Sequence, residues 1–222
     1  MPGNDQQSTA SAGQQAVFEW SFLHLRFWPL WLVLALLRVL VYLPLPMQHA
    51  IGRGIGRLFY RLNEKRRNIA RININLCFPE LDDHQKQELL RQHFEAYGAS
   101  IFDLAICWWA SARRLRRLTT VHGLQQYLDL LEQGRNVVMF TGHMLTVDLC
   151  GQYLSPFHAG VTMMKPLSNP LLNWMFFRGR SRHGAIVVNR QQGMRPMVRH
   201  LRNGFTAYFM PDEDFGAEAA VF

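Results

Sequence analysis

Cysteine is scarce in this chain, and what there is excludes whole classes of chemistry. Cys77, Cys107 and Cys150 are the only three in 222 residues, and none forms a CxxC pair or a metal-ligand spacing. An odd, scattered set of thiols argues against a disulfide scaffold or a structural zinc site and fits a reducing compartment. Other signatures are missing too. No GxSxG marks a serine hydrolase, no HExxH marks a zinc peptidase, and no Walker lysine loop or post-strand GxGxxG marks a nucleotide site. No metal and no cofactor is expected. Acidic residues are also short: 16 Asp and Glu against 24 Lys and Arg give a net charge of +8, which favours anionic partners. Nucleic acid is not expected among them, because the basic residues cluster beside an apolar segment and no recognition motif is present.

What is there begins with that segment. Residues 1–20 read as a flexible leader rich in Gln, Ser, Gly and Ala. Residues 21–45 then carry an apolar run from Phe27 to Leu45 that is about long enough to cross a bilayer. Trp28, Trp31 and Tyr42 near its ends fit interfacial anchoring. Arg38 in mid-run costs insertion energy, so a tilted or interfacial helix stays open beside a spanning one. Arg53, Arg57, Arg61, Lys65, Arg66, Arg67 and Arg71 follow the run, opposed there only by Glu64. This bias predicts an N-terminal membrane anchor with the remainder on the cytoplasmic side.

Residues 46–117 read as a basic helical region. Asp82 with Gln85 three positions on has the form of a capping box opening a long helix. Leu90, Phe94, Tyr97, Ile101, Leu104 and Trp108 make one apolar stripe along it. Arg113, Arg114, Arg116 and Arg117 read as a solvated charge run or as a contact for lipid phosphates.

From residue 118 the pattern alternates. Strands are expected at 119–121, 136–141, 161–164, 185–188 and 206–210, with helices at 124–132, 145–153, 170–182 and 194–202. Such alternation predicts an α/β layered domain over 118–222, with a mostly parallel sheet flanked by helices. A further strand is expected to begin near Phe222, so the C-terminal part of this fold is expected to be missing. In parallel sheets, sites gather at the carboxyl ends of strands. His143 stands at one such end, Asp212 and Asp214 at another.

His143 is followed five positions later by Asp148, after Thr141-Gly142. A histidine is suited to take a proton near neutral pH, and a carboxylate can fix its tautomer. Residues five apart on a regular helix are rotated by about 140° and do not share a face. The pair therefore meets only if His143 lies in the turn before the helix and Asp148 in its first turns, with Gly142 easing the turn. The spacing alone is also what chance produces. With no enzyme nucleophile signalled, a general base suits direct attack of a substrate hydroxyl on an activated acyl group.

Five blocks in order carry a family resemblance: the apolar N-terminal run, Gly142-His143-x4-Asp148, Lys165-Pro166 with Asn169-Pro170-Leu171, Arg178-Gly179-Arg180-Ser181-Arg182, and Met210-Pro211-Asp212-Glu213-Asp214-Phe215-Gly216. On these, residues 17–222 resemble the late lipid A acyltransferases (the lauroyl/myristoyl transferase group) of the wider glycerolipid and lysophospholipid acyltransferase superfamily. The resemblance implies transfer of a fatty acyl chain from acyl-acyl carrier protein to a hydroxyl of a lipid A precursor, at the inner membrane of a Gram-negative cell. It implies His143 as general base and Asp148 as its orienter. Arg180 is then the group for the oxyanion or a phosphate, with Arg182 and Lys165 as further phosphate ligands. Asp212 and Asp214 would position Arg180 or substrate hydroxyls, although turn formation and helix capping explain them equally. Two other readings stay open: a phospholipid or glycolipid acyltransferase of the same superfamily, and an inactive, truncated membrane-bound remnant.

Overall fold

The computed structural model describes residues 17–212. They form two compact units, one made of residues 17–28 with 111–212, the other of residues 29–110. The expected strand near Phe222 and Asp214 lie outside the described residues.

The helical unit contains α1 (Trp28–Leu40), α2 (Leu45–Leu62), α3 (Glu64–Cys77) and α4 (Asp83–Trp109). The spanning form of the expected anchor is not supported: among the described residues, no helix is long and apolar enough to cross a membrane. The apolar run is cut into pieces. Its helix α1 has 13 residues, a length of about 20 Å against the ~30 Å of a bilayer core. Proline explains the break. Pro44 sits in extended backbone with φ −56° and ψ 141°, and the residue before a proline is pushed out of the helical region. Buried Gln48 then staples the turn, its amide donating to the carbonyls of Val41 (2.8 Å) and Leu43 (2.7 Å).

The capping box forms as the sequence predicts. Asp82 accepts from the Gln85 backbone and the Gln85 side chain accepts from the Asp82 N–H. The apolar stripe of α4 is rotated from its expected line. Leu90, Phe94 and Trp108 are buried, but Gly98 and Phe102 replace Tyr97 and Ile101 as the inward positions, and Tyr97 is 47% exposed. The cause is a close backbone crossing with α2. A Cβ on Gly98 would lie 2.1 Å from the Gly52 carbonyl oxygen, and one on Gly56 would lie 2.1 Å from that of Phe94. Only glycines allow this approach.

In the α/β unit, α5 (Ala112–Leu118) and α6 (Leu124–Glu132) precede four strands: β1 (Val138–Phe140), β2 (Gly160–Met164), β3 (Ile186–Asn189) and β4 (Thr206–Phe209). Helices α7 (Val147–Leu154), α8 (Pro170–Arg180) and α9 (Arg195–Arg202) connect them. All pairs are parallel, in the order β1-β4-β2-β3. The expected strand at 119–121 is absent: Thr119 is extended, but the described residues offer it no ladder partner. Strand alternation sorts the core. Val188 joins Val161, Met197 and Ala207 in one cluster, while its neighbour Val187 joins Met164 and Phe177 in another. Part of the segment expected to be leader and anchor belongs to this unit, since the rings of Phe18 and Phe22 pack on Trp174 at 5.4 and 6.0 Å.

Candidate active site

Parallel pairing brings the carboxyl ends of all four strands to one edge of the sheet. β1 and β4 are neighbours, and Thr141 extends their ladder by donating to the Phe209 carbonyl at 3.1 Å. The two chains leave the sheet side by side, which is why His143 and Asp212, 69 residues apart, meet. The His143 backbone N–H donates to Asp212 Oδ2 at 2.6 Å, and its Nδ1 lies 2.6 Å from Oδ1. These two bonds, the backbone one foremost, hold the Asp212 carboxyl below its usual range, so it stays ionised near neutrality. Gly142 matters through space and not through a left-handed turn: its φ is not positive, but a Cβ there would come 3.1 Å from Asp212 Oδ2.

The expected His143–Asp148 relay is thus rearranged. His143 does lie in the turn before α7, and Asp148 in its first turn, as the spacing demands. The carboxylate on His143 Nδ1 is Asp212, however, and Asp148 faces the end of α8. There Arg180 Nε donates to Asp148 Oδ1 at 2.7 Å and Nη2 to Oδ2 at 3.1 Å, the two-point geometry a planar guanidinium favours. The two pairs differ in exposure. Arg180 and Asp148 are 20% and 23% exposed, His143 and Asp212 both 44%.

Gln152 was not singled out by sequence reasoning. It lies one turn beyond Asp148 on the same face of α7, is buried, and donates to the carbonyls of Gly179 (3.0 Å) and Arg180 (3.2 Å). Helix α7 therefore grips the last turn of α8 through Asp148 and Gln152 together. The signal was present as an i, i+4 polar pair on an otherwise apolar helix. Asp148, Gln152 and Arg180 line a cavity of about 50 Å³ with Thr141, Gly160 and Tyr208.

Lys165 follows β2 directly and is exposed at the same sheet edge. Arg182 is exposed in the 3-10 turn after α8. The Asn169-Pro170-Leu171 block starts α8: Asn169 accepts from the Leu172 N–H at 3.1 Å and Pro170 occupies the first turn. Cys150, on α7, has its thiol pushed up by burial, the opposite of what activates a nucleophile.

The family model for the bacterial lipid A biosynthesis acyltransferases matches residues 15–222. The chain is 30% identical over 205 residues to the lipid A biosynthesis lauroyltransferase of Escherichia coli strain K12, covering 92% of this chain and 67% of that protein. It is 32% identical over 207 residues to a lipid A biosynthesis acyltransferase of Haemophilus influenzae, covering 92% and 66%. With the E. coli palmitoleoyltransferase of lipid A biosynthesis it shares 28% over 208 residues, covering 94% and 68%. The chain spans about two thirds of the length of these relatives.

Proposed function

Because the chain belongs to the bacterial lipid A biosynthesis acyltransferase family, we propose that it transfers a fatty acyl chain from acyl-acyl carrier protein to a hydroxyl of a lipid A precursor. One observation carries the assignment of roles. His143 is held through Nδ1 by an ionised carboxylate, and Arg180 is held by Asp148 in the first turn of the helix that follows His143. With Nδ1 tied to Asp212, Nε2 is the nitrogen that takes the acceptor hydroxyl's proton. The hydroxyl oxygen attacks the thioester carbonyl and the carbon–sulfur bond breaks. The proton on His143 then passes to the carrier thiolate. Arg180 has five N–H donors, and those not given to Asp148 stabilise the oxyanion of the tetrahedral intermediate. Asp148 and Gln152 are positioning residues that set the direction of that guanidinium. Lys165 and Arg182 supply cations for the phosphates of the acceptor. The acceptor is a lipid, so the reaction takes place at the surface of the inner membrane.

The test is incubation of the purified protein with a lipid A precursor and lauroyl- or myristoyl-carrier protein. A mass gain of one acyl chain is expected, and His143→Ala should lower the rate about 10³-fold. Acylation of a phospholipid in place of the lipid A precursor would replace the acceptor assigned here. Full activity of the His143→Ala variant would remove the base, and no transfer to either acceptor would leave the chain a non-catalytic relative.

A further inference from the structure

Helix α3 is anomalous. It runs for 14 residues from Glu64 to Cys77 and contains no buried residue, although it carries Ile69, Ile72, Ile74 and Leu76. Ile69 is 44% exposed and Leu76 75%. A short helix normally owes its stability to a buried apolar face, so something should cover this one. Between α3 and α4 lies a cavity of about 570 Å³, well within the size of ligand pockets. Its wall on α3 is Ile69, Ala70 and Ile74. Its floor is aromatic, with Phe59 stacked on Tyr97 at 5.9 Å and Phe94 buried beneath.

Shape and charge narrow the occupant. The lining extends from Arg66 to Cys77, about 17 Å along the helix axis, an elongated slot that suits an unbranched chain better than a compact ring system. Arg66 is exposed at one end. Helices α2 and α3 carry Arg53, Arg57, Arg61, Lys65, Arg66, Arg67 and Arg71 against Glu64 alone, so an anionic headgroup is favoured. We propose that the groove between α3 and α4 binds one acyl chain of an anionic lipid, with the headgroup on Arg66. The site lies wholly within the helical unit, and the proposal does not depend on the acyl-transfer chemistry assigned to His143.

Cys77 lines the groove and is exposed, whereas Cys107 is buried. Maleimide labelling of the whole protein, read peptide by peptide, therefore reports occupancy at Cys77 with Cys107 as the internal control. Phosphatidylglycerol vesicles should slow Cys77 labelling about tenfold, while phosphatidylcholine vesicles leave it unchanged. Monomeric lysophosphatidylglycerol should protect as well, which separates a chain seated in the groove from a protein merely adsorbed on a bilayer. Arg66→Glu, on a helix with nothing buried to disrupt, should abolish protection by both probes while acyl transfer continues. Equal protection by both vesicle types, or protection by vesicles but not by the monomer, would overturn the proposal. So would a Cys77 that resists labelling in buffer alone, since the groove would then be covered by protein, either a second copy or a further segment of chain.

Discussion

In the helical unit, the tightest contact is made by what is missing: Gly52, Gly56 and Gly98 let the backbones of α2 and α4 touch. In the α/β unit, the contacts that define the site are made by long polar side chains reaching between loops and helix ends, His143 to Asp212 and Arg180 to Asp148. A backbone crossing has no slack, because any added carbon must displace main chain. A side-chain bridge at a half-open edge can be lost without moving the scaffold. The first kind of contact should therefore be read out in stability and the second in activity.

The strongest challenge to that contrast is Gly98→Leu. The new side chain would meet the Gly52 carbonyl at its first atom, and the helical unit should lose about 3 kcal/mol, seen as a lower midpoint in a circular-dichroism melt. A variant that melts like the parent would show that the crossing is loose.

The next comparison sets the two carboxylates against each other. Asp148→Asn removes the charge from a pair about four-fifths covered, which leaves Arg180 poorly compensated and should cost about 2 kcal/mol of stability as well as activity. Asp212→Asn acts at the open edge, so stability should stay within about 0.5 kcal/mol. Its turnover should nevertheless fall by about 10²-fold, because the ring loses its orienting partner. The reverse pattern, with Asp148→Asn silent in the melt, would mean that α7 and α8 are held by Gln152 and packing alone.

The smallest effect concerns His200. It is 2% exposed on α9, neither ring nitrogen has a hydrogen-bond partner among the described residues, and its ring packs on Phe205 at 5.3 Å. Burial, reinforced by Arg199, pushes its pKa down from 6.5. The unfolded chain then takes up the proton first, so this residue's contribution is present above pH 6.5 and is lost as pH falls toward the lowered folded value. His200→Phe should raise stability by about 1 kcal/mol at neutral pH and flatten the decline between pH 7 and 5. His183, lowered by burial and Arg182, keeps part of the slope. A variant with the full parental slope would exclude His200 as a source of it.

The elements of the α/β unit were legible in the sequence because their patterns are local. The helix at 124–132 matches in both bounds, and the strands at 161–164 and 206–210 differ by a residue. Turn chemistry, capping and alternation act over a few residues, so a linear reading captures them. Thr119–Val121 failed for the same reason in reverse, since extended backbone becomes a strand only when a partner lies beside it. The apolar run at 27–45 yields a helix of only 13 residues, because hydropathy counts residues and ignores where a helix stops, here in the turn between Leu40 and Pro44. On α4, the 3-4 spacing found a stripe but placed Tyr97 inward, where the glycine crossing turned Gly98 to face α2.

The candidate site divides along the same line. His143, Asp148, Arg180 and Asp212 were visible as candidates because His, Asp and Arg at strand and helix ends stand out as residue types, whereas Gln152, Gly160 and Tyr208 carry no such mark. The partnerships among the first four were not visible. The sequence by itself determined the family, the capped helices, the alternation that makes a parallel sheet, and the set of charged groups near its carboxyl edge. Only the tertiary structure decided that β4 inserts beside β1. That strand order sets Asp212, not Asp148, against His143 and frees Asp148 for Arg180. Strand order is fixed by the packing of side chains far apart in the chain, so no local spacing encodes it.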